Sequence, residues 1–193
     1  MAKPASPIEV SRHPERGVYD RPEINQILDE ALFCHVGFVH EGRPFVIPTI
    51  HARAGNTVYL HGSPASRMLR TLSEGIEICV TVTLLDGLVI ARSVYNHSMN
   101  YRSVVILGRA RLLEDPAEKL EALEAIVEHL VPGRWEDARQ PSKKELAGTS
   151  VLAITLDEAS AKIRSGPPGD FDADLELPIL DLYGTIMRPS SRR

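Results

Sequence analysis

The chain has 193 residues, of which 43% are hydrophobic and 25% charged, and its formal net charge is −4 at pH 7. This composition is typical of a globular protein, and the length predicts one domain with its own core. The acidic balance argues against a nucleic-acid partner, because binding to a phosphate backbone requires a basic face. No stretch approaches the roughly 18 apolar residues of a membrane span, and the first residues lack the apolar centre of a signal peptide. We therefore expect a cytoplasmic protein with no membrane partner.

The first third of the chain predicts an arm, a helix and a meander of strands. Three prolines within residues 1–19 predict an extended N-terminal arm. Asp20 is a suitable helix cap, and apolar residues recur at helical spacing up to residue 31. Three strands joined by short turns are predicted next, over residues 32–40, 45–53 and 57–61.

The middle of the chain predicts a short helix and three further strands. The helix covers residues 66–72, and the pair Asp86-Gly87 is a strong signal for a hairpin turn. Strands are predicted over residues 77–84, 88–95 and 101–113.

The last third predicts two helices and two more strands. Asp115 and Pro116 are typical of a helix start, and this helix is predicted to run to Leu130. Ser142 and Glu145 have the spacing of a capping box before a second, shorter helix. Strands are predicted over residues 149–156 and 159–165, residues 179–187 fit either a helix or a strand, and residues 188–193 are predicted to be a disordered tail.

These elements together indicate the fold class. About seven strands are joined mostly by turns too short for a crossover, which predicts antiparallel pairing and excludes a doubly wound parallel sheet. We expect a mainly β fold with flanking helices, in which the sheet curls into a small barrel.

The segment from His61 to Arg70 predicts an anion site. Ser63 is a suitable helix cap and Pro64 suits the first helical position, so the free N–H groups of the first turn would attract a phosphate. Ser66 adds a hydroxyl, and Arg67 adds a planar set of donors that matches phosphate oxygens. The alternative is an ordinary helix start whose arginines are solvated.

The loop from Arg92 to Ser103 is the second candidate site, because it is dense in hydrogen-bonding side chains. It could line the polar edge of a planar ligand, with His97 within reach for proton transfer. The alternative is a well-bonded hairpin loop. Trp135 is either a packing anchor or an aromatic contact to a flat ligand.

Other classes of site are not indicated by the motifs. Histidine and cysteine spacings match no metal site, so none is predicted, although a haem ligand from one of the histidines stays open. The signatures of hydrolases, kinases and dinucleotide-binding folds are also missing.

Six segments, in order, together resemble a known family. Over residues 14–187 the chain resembles the FMN-binding split-barrel proteins related to pyridoxamine 5'-phosphate oxidase, and within them the nitroimidazole-resistance, flavin-nucleotide-binding branch. The segments are 16–20, 34–38, 44–49, 60–68, 97–105 and 160–168.

The resemblance implies an antiparallel split β-barrel over residues 20–187 that forms a homodimer with FMN at the interface. The phosphate would lie on Ser66 and Arg67, and the strand from Val46 to Ile50 would run beside the isoalloxazine ring. Trp135 would act from the partner subunit. The implied cofactor-binding residues are Val46, Ile47, Pro48, Thr49, His61, Gly62, Ser63, Ser66, Arg67, Tyr101, Arg102 and Trp135.

The resemblance also implies an activity. We expect an FMN-dependent oxidoreductase that takes electrons from NADH or NADPH and reduces a small nitroaromatic or quinone-like acceptor. The alternative is a flavin- or haem-binding carrier or sensor without turnover.

Overall fold

The structure is a computed structural model that describes residues 6–178 and 186–187. The predictions for the start of the arm, for residues 179–185 and for the tail fall outside the described residues. The strands are β1 (Gly17–Val18), β2 (Phe33–His40), β3 (Arg43–Ala54), β4 (Thr57–Gly62), β5 (Glu77–Val89), β6 (Ser98–Arg109), β7 (Arg111–Leu112), β8 (Ser150–Thr155), β9 (Glu158–Arg164) and β10 (Ile186–Met187). The α-helices are α1 (Arg21–Glu30), α2 (Arg67–Ser73), α3 (Pro116–Leu130), α4 (Arg134–Asp137), α5 (Lys143–Ala147) and α6 (Asp172–Leu175).

The described strands form one antiparallel sheet in the order β1-β9-β6-β5-β2-β3-β4-β8-β7, and β10 pairs with the end of β5. β8 and β9 lie near opposite ends of this order, yet only Leu156 and Asp157 separate them along the chain. Because so short a connection brings the two ends of the sheet near each other, the sheet curls into a half-barrel. The predicted antiparallel split barrel with flanking helices is confirmed.

The main core lies inside the curled sheet and is closed by α1 and α2. Its fully buried side chains include Ile24, Ile27, Leu28, Val36, Val58, Leu60, Leu72, Val80, Val104, Ile106, Leu152 and Ile154. A second, smaller cluster places Ala122 of α3 against Val151 and Ala153 of β8. These two clusters hold β3, β4 and β8 between the barrel interior and α3.

The predicted helix starts at residues 20, 115 and 142 are confirmed. The carboxylate of Asp20 accepts the N–H of Glu23, and Asp115 accepts the N–H groups of Ala117 and Glu118. Ser142 and Glu145 form the predicted capping box. In each case a short-range side-chain contact satisfies N–H groups that the first turn leaves unpaired.

The prediction of a hairpin at Asp86-Gly87 is wrong. β5 continues through both residues to Val89, and the register against β6 shifts between Leu85 and Gly87, which marks a β-bulge. The chain reverses later, through residues 90–97, where a strand had been predicted and a single 3-10 turn is found. The long ladder between β5 and β6 outweighs the local turn preference of the Asp-Gly pair.

The predicted cap at Ser63 is also wrong. α2 begins at Arg67 with Ser66 as its cap residue, and Ser66 makes no capping bond through its side chain. Ser63 instead accepts the N–H of Ala65 at 3.2 Å, so that Ser63 and Pro64 belong to a turn before the helix.

The described part of the N-terminal arm is attached to the sheet. One 3-10 turn at residues 14–16 leads into β1, which pairs with β9. The Lys162 ammonium donates to the carbonyl of Arg12 at 2.9 Å. In the part of the chain that the structure covers, no helix is long and apolar enough to cross a membrane.

Candidate functional site

The end of β4 and the start of α2 form the first part of the candidate site. A Cβ atom on Gly62 would lie 3.0 Å from Leu69 Cδ1, so the strand end lies close against the helix. The intervening turn places Ser66 and Arg67 at the beginning of α2. A side chain at Gly62 would require Leu69 to shift, so glycine suits this close approach of strand and helix.

Arg67 lies over an aromatic ring of the neighbouring strand. Its Cζ atom is 4.2 Å from the centroid of the Phe45 ring, which is a cation–π contact. Within residues 6–178, Arg67 makes no ion pair and the Ser66 side chain makes no hydrogen bond. We call Gly62, Ser66, Arg67 and Phe45 the Arg67 corner. Its donors are free to bind an anion.

Strands β2 and β3 also carry an apolar face on the side of the sheet opposite to Phe45. Residues that pair directly in antiparallel strands share a face, and the register pairs Phe33 with Ile50, His35 with Pro48 and Gly37 with Val46. Val46 is 66% exposed, Phe33 53% and Ile50 37%. We call these six residues the exposed sheet face.

The predicted cofactor-binding residues between Val46 and Ile50 therefore alternate between the two faces of β3. Val46 and Pro48 lie on the exposed sheet face, whereas Ile47 and Thr49 are half-buried on the opposite face. The side chains of Val46, Pro48 and Ile50 are the more exposed ones, and the part of all five residues in cofactor binding stays a prediction.

His61 is the predicted site residue with an unusual environment. It is half-buried on β4, and its Nδ1 atom is buried without a hydrogen-bond partner among the described residues. Burial lowers the pKa of its imidazole below the usual value. The neutral ring retains a nitrogen lone pair that no described protein donor uses.

Arg102 is held by two carboxylates, which the sequence did not indicate. Its guanidinium contacts Glu30 at 2.5 and 2.8 Å and Asp86 at 2.8 Å. These hydrogen bonds and charges lower the pKa of Glu30 and raise that of Arg102. We call these three residues the Arg102 corner. The positive charge of the guanidinium is therefore already compensated by these two carboxylates.

A cavity of about 500 Å³ lies beside the Arg102 corner. It is lined by Arg102, Asp86, Asn100, Ile163, Arg164, Ser165 and Gly166. Arg164 donates to the amide oxygen of Asn100 and, at 3.3 Å, to the carbonyl of Pro167. These bonds fix the loop that follows β9. The neighbouring Tyr101 is half-buried.

His97 and Trp135 lie apart from the Arg67 corner. His97 is exposed after the 3-10 turn, and its Nδ1 atom accepts the backbone N–H of Ala91 at 3.2 Å. The proton of the neutral ring therefore lies on Nε2. Trp135 lines a separate cavity of about 280 Å³ between α3 and the segment after α4. Within one chain, neither residue is brought to Arg67.

The sequence did not indicate a role for Phe45. The resemblance covered Phe45 without giving it a role, and its inward position follows from strand alternation with Val46. Nothing in the sequence indicated the contact between Phe45 and Arg67, because it joins β3 to a helix 22 positions later.

Among the described residues, no group of three His, Cys, Asp or Glu side chains is arranged to bind a metal ion.

Three solved structures are similar to this chain in sequence and in fold. Flavocytochrome Anf3 from Azotobacter vinelandii is 42% identical, with a TM-score of 0.83 over 96% of this chain and 89% of that one. The FAD and heme binding protein from Mycobacterium smegmatis is 32% identical, with a TM-score of 0.80 over 92% and 91%. A protein assigned to 5-nitroimidazole antibiotic resistance, from Bacteroides thetaiotaomicron, is 26% identical, with a TM-score of 0.65 over 76% and 86%.

No curated protein matches the chain in sequence. The sequence model of one family, described as pyridoxamine 5'-phosphate oxidase, matches residues 20–163. This match covers most of the barrel, including the Arg67 corner and the exposed sheet face, and the resemblance stated from the sequence is confirmed. The chain belongs to the pyridoxamine 5'-phosphate oxidase family.

Proposed function

We propose that this protein binds a flavin nucleotide and uses it for redox chemistry. The observation that carries the proposal is the Arg67 corner, where Ser66 and Arg67 have donors that no described residue uses. Such donors suit a flavin phosphate, because a guanidinium can bind two phosphate oxygens at once. Similarity to a flavocytochrome and to an FAD and heme binding protein supports this assignment.

The exposed sheet face would hold the ring system of the flavin. Val46, Pro48 and Ile50 offer an apolar surface on β3, the strand that also carries Phe45 on its other face, and the ring of a flavin is flat and largely apolar. His61 and Gly62 lie between this strand and α2, where they would border the chain that links ring and phosphate. When bound, the flavin supplies hydride and electron transfer, while these residues bind it, orient it and exclude water.

The expected electron donor is NADH or NADPH, and the expected acceptor is a small nitroaromatic or quinone-like compound. Similarity to a protein assigned to nitroimidazole resistance supports this class of acceptor. His97 is the candidate for proton transfer, because its Nε2–H faces away from the bond that Nδ1 makes with Ala91.

The exposed sheet face also supports a homodimer. Exposed apolar side chains on one sheet face are costly in water and are typical of a protein interface. We propose that a second copy covers the part of this face that the flavin leaves open, with Trp135 of the partner subunit nearby. Val46→Glu would place a charge in this interface, so we expect size-exclusion chromatography to show a shift from dimer to monomer.

A second candidate function is a haem-containing electron carrier. The observation that favours it is His61, whose neutral imidazole has a buried nitrogen without a partner among the described residues. His35, on the exposed sheet face, also makes no hydrogen bond within the described chain. His61 or His35 would hold the haem through an imidazole nitrogen, and the haem would supply one-electron chemistry. The two neighbours named for haem or cytochrome content support this candidate.

The visible spectrum of the purified full-length protein tests both candidates. We expect flavin bands, and the apoprotein should regain them when it is titrated with FMN or FAD. Oxidation of NADH and NADPH is then followed with and without a nitroaromatic or a quinone acceptor. Oxidation that depends on the acceptor supports the oxidoreductase.

The outcomes of this experiment separate the proposals. A Soret band that is lost in His61→Ala or His35→Ala, and kept in His97→Ala, supports the haem-containing carrier. A protein that neither carries nor takes up FMN or FAD contradicts the flavin proposal.

A further inference from the structure

Arg67 rests on a group of stacked rings that joins β2, β3 and α2. Phe45 lies beneath the guanidinium, and its ring stacks on that of Phe38 with centroids 5.6 Å apart and an interplanar angle of 20°. Phe38 is buried, with only 5% of its surface exposed. Phe45 therefore contacts a buried core residue through its ring and also carries the guanidinium of Arg67 over its face.

A second contact fixes the same ring from the side. The His40 ring meets Phe45 edge-on, with centroids 6.3 Å apart. His40 Nδ1 and the hydroxyl of Thr71 on α2 share a hydrogen bond of 3.0 Å. We call Phe38, His40 and Phe45 the aromatic platform. Because Thr71 and Arg67 belong to one helix, this bond ties the helix that carries Arg67 to the platform.

The platform affects how Arg67 can bind an anion. A free arginine side chain loses much rotational freedom when it is fixed by a ligand, and this loss opposes binding. Stacking on Phe45 uses the flat face of the guanidinium and leaves the N–H donors at its edge available. Within residues 6–178 no carboxylate competes for those donors.

We propose that Phe45 is a positioning residue that makes the Arg67 corner selective for phosphate-bearing flavins over riboflavin. The inference rests on the proposed flavin function and adds a residue and a specificity to it. Riboflavin has the same ring system as FMN and FAD but no phosphate. An effect of Phe45 that acts through Arg67 must therefore appear for FMN and FAD and vanish for riboflavin.

The test compares Phe45→Leu with Phe45→Tyr in the full-length apoprotein. We expect Phe45→Leu to weaken FMN and FAD about three- to tenfold, the size of a cation–π contact, and to leave riboflavin unchanged. Phe45→Tyr keeps the ring and should bind all three flavins within about twofold of the parent protein. Phe171→Leu is the matched control, because Phe171 is an exposed phenylalanine that touches none of these residues.

Arg67→Ala completes a double-mutant cycle. In that background, Phe45→Leu should cause no further loss of FMN affinity, because the residue through which it acts is gone. Far-UV circular dichroism checks folding of each variant. If Phe45→Leu does not fold, Phe45→Met, which is unbranched and flexible, takes its place.

Three results would overturn the inference in distinguishable ways. Equal weakening of riboflavin and FMN by Phe45→Leu means that Phe45 only supports packing. A loss of FMN affinity in Arg67→Ala, with none in Phe45→Leu, leaves the phosphate site standing without a role for Phe45. An unchanged FMN affinity in Arg67→Ala removes the phosphate site and the inference with it.

Discussion

Two arginines predicted to bind the cofactor have opposite surroundings in the fold. Arg102 is clamped between Glu30 and Asp86, so two negative charges already surround its guanidinium. Arg67 has no carboxylate partner within the described residues, and its only described contact is the ring of Phe45. The first arrangement joins α1 to two strands, whereas the second leaves a positive charge available.

The difference teaches that residue type alone does not identify a ligand-binding arginine. A guanidinium that is satisfied by two carboxylates contributes to stability, because its removal leaves two negative charges close together. One that stacks on an aromatic ring keeps its donors for an anion. The two corners should therefore respond to mutation in opposite ways.

The largest expected effect is that of Arg67→Ala on flavin binding. We expect FMN affinity to fall about 10- to 100-fold, which corresponds to about 1.4–2.7 kcal/mol, because a charge-assisted phosphate contact is lost. The free energy of unfolding should change by less than about 1 kcal/mol, since Arg67 is exposed and makes no ion pair. Fluorescence titration and urea unfolding measure the two quantities.

Arg70→Ala is the matched control for this variant. Arg70 is an exposed arginine one turn further along α2 and has no described ion pair. Its removal should leave FMN affinity unchanged. Equal losses in both variants would point to a diffuse effect of positive charge, and the Arg67 corner would then not be a defined site.

The loss of stability at mildly acidic pH should depend on a buried histidine, His51, and not on the Arg102 corner. His51 is fully buried, and its Nε2–H donates to the carbonyl of Leu28 at 3.1 Å. Burial is the main cause that lowers its pKa to about 4, and the ring of His129, 5.5 Å away, adds to it. Since the neutral ring is favoured in the fold, stability is present above pH 6.5 and is lost as the pH falls towards 4.

We expect the free energy of unfolding to drop by about 2 kcal/mol between pH 7 and pH 5. His51→Gln should remove most of this slope, and Arg102→Ala should keep it, because the pKa of Glu30 is lowered from its ordinary value of 4.5. Urea unfolding at both pH values measures the slope. If His51→Gln keeps the full slope, another group is responsible.

The next effect in size is that of Arg102→Ala on stability. We expect a loss of about 1–2 kcal/mol in urea unfolding, because Glu30 and Asp86 lose their counter-charge at a partly exposed site. FMN affinity should not change. Arg109→Ala is the control from the same strand, since its pair with Glu77 is long, at 3.7 Å, and exposed. A weaker FMN affinity in Arg102→Ala would show that Arg102 takes part in cofactor binding.

The smallest effect is expected for the two serines near Arg67. Ser66→Ala removes a free hydroxyl and should weaken FMN about two- to fivefold, as for one neutral hydrogen bond. Ser63→Ala should leave FMN affinity unchanged, because Ser63 belongs to the turn before α2, where its oxygen accepts the N–H of Ala65. The same titrations measure both variants. A larger loss of FMN affinity in Ser63→Ala than in Ser66→Ala would indicate that the phosphate binds at the turn before α2.

The sequence was sufficient where structure depends on near neighbours. Asp115 and Ser142 predicted their helix starts correctly, because a cap needs only N–H groups within three positions. The antiparallel barrel also followed from short turns between strands. The family resemblance predicts Ser66 and Arg67 as the phosphate site, and this stays a prediction.

The sequence was insufficient where structure depends on distant partners. Asp86-Gly87 has the local preference of a turn, but pairing with β6 carries the strand through it as a bulge. The bond from Arg102 to Glu30 joins positions 72 apart, so no local pattern could show that Arg102 is neutralised. The contact of Arg67 with Phe45 was missed for the same reason.

The short connection between β8 and β9 has a consequence for how the protein folds. β8 pairs with β4 and β9 pairs with β6, so these two strands must find partners about 90 and 60 positions earlier in the chain. Contacts so distant along the chain form slowly, because the intervening loops must close first. During synthesis the free edge of β4 therefore stays open until about residue 155 has emerged, and that of β6 until about residue 164. Any cofactor that needs a closed barrel can be retained only after that point.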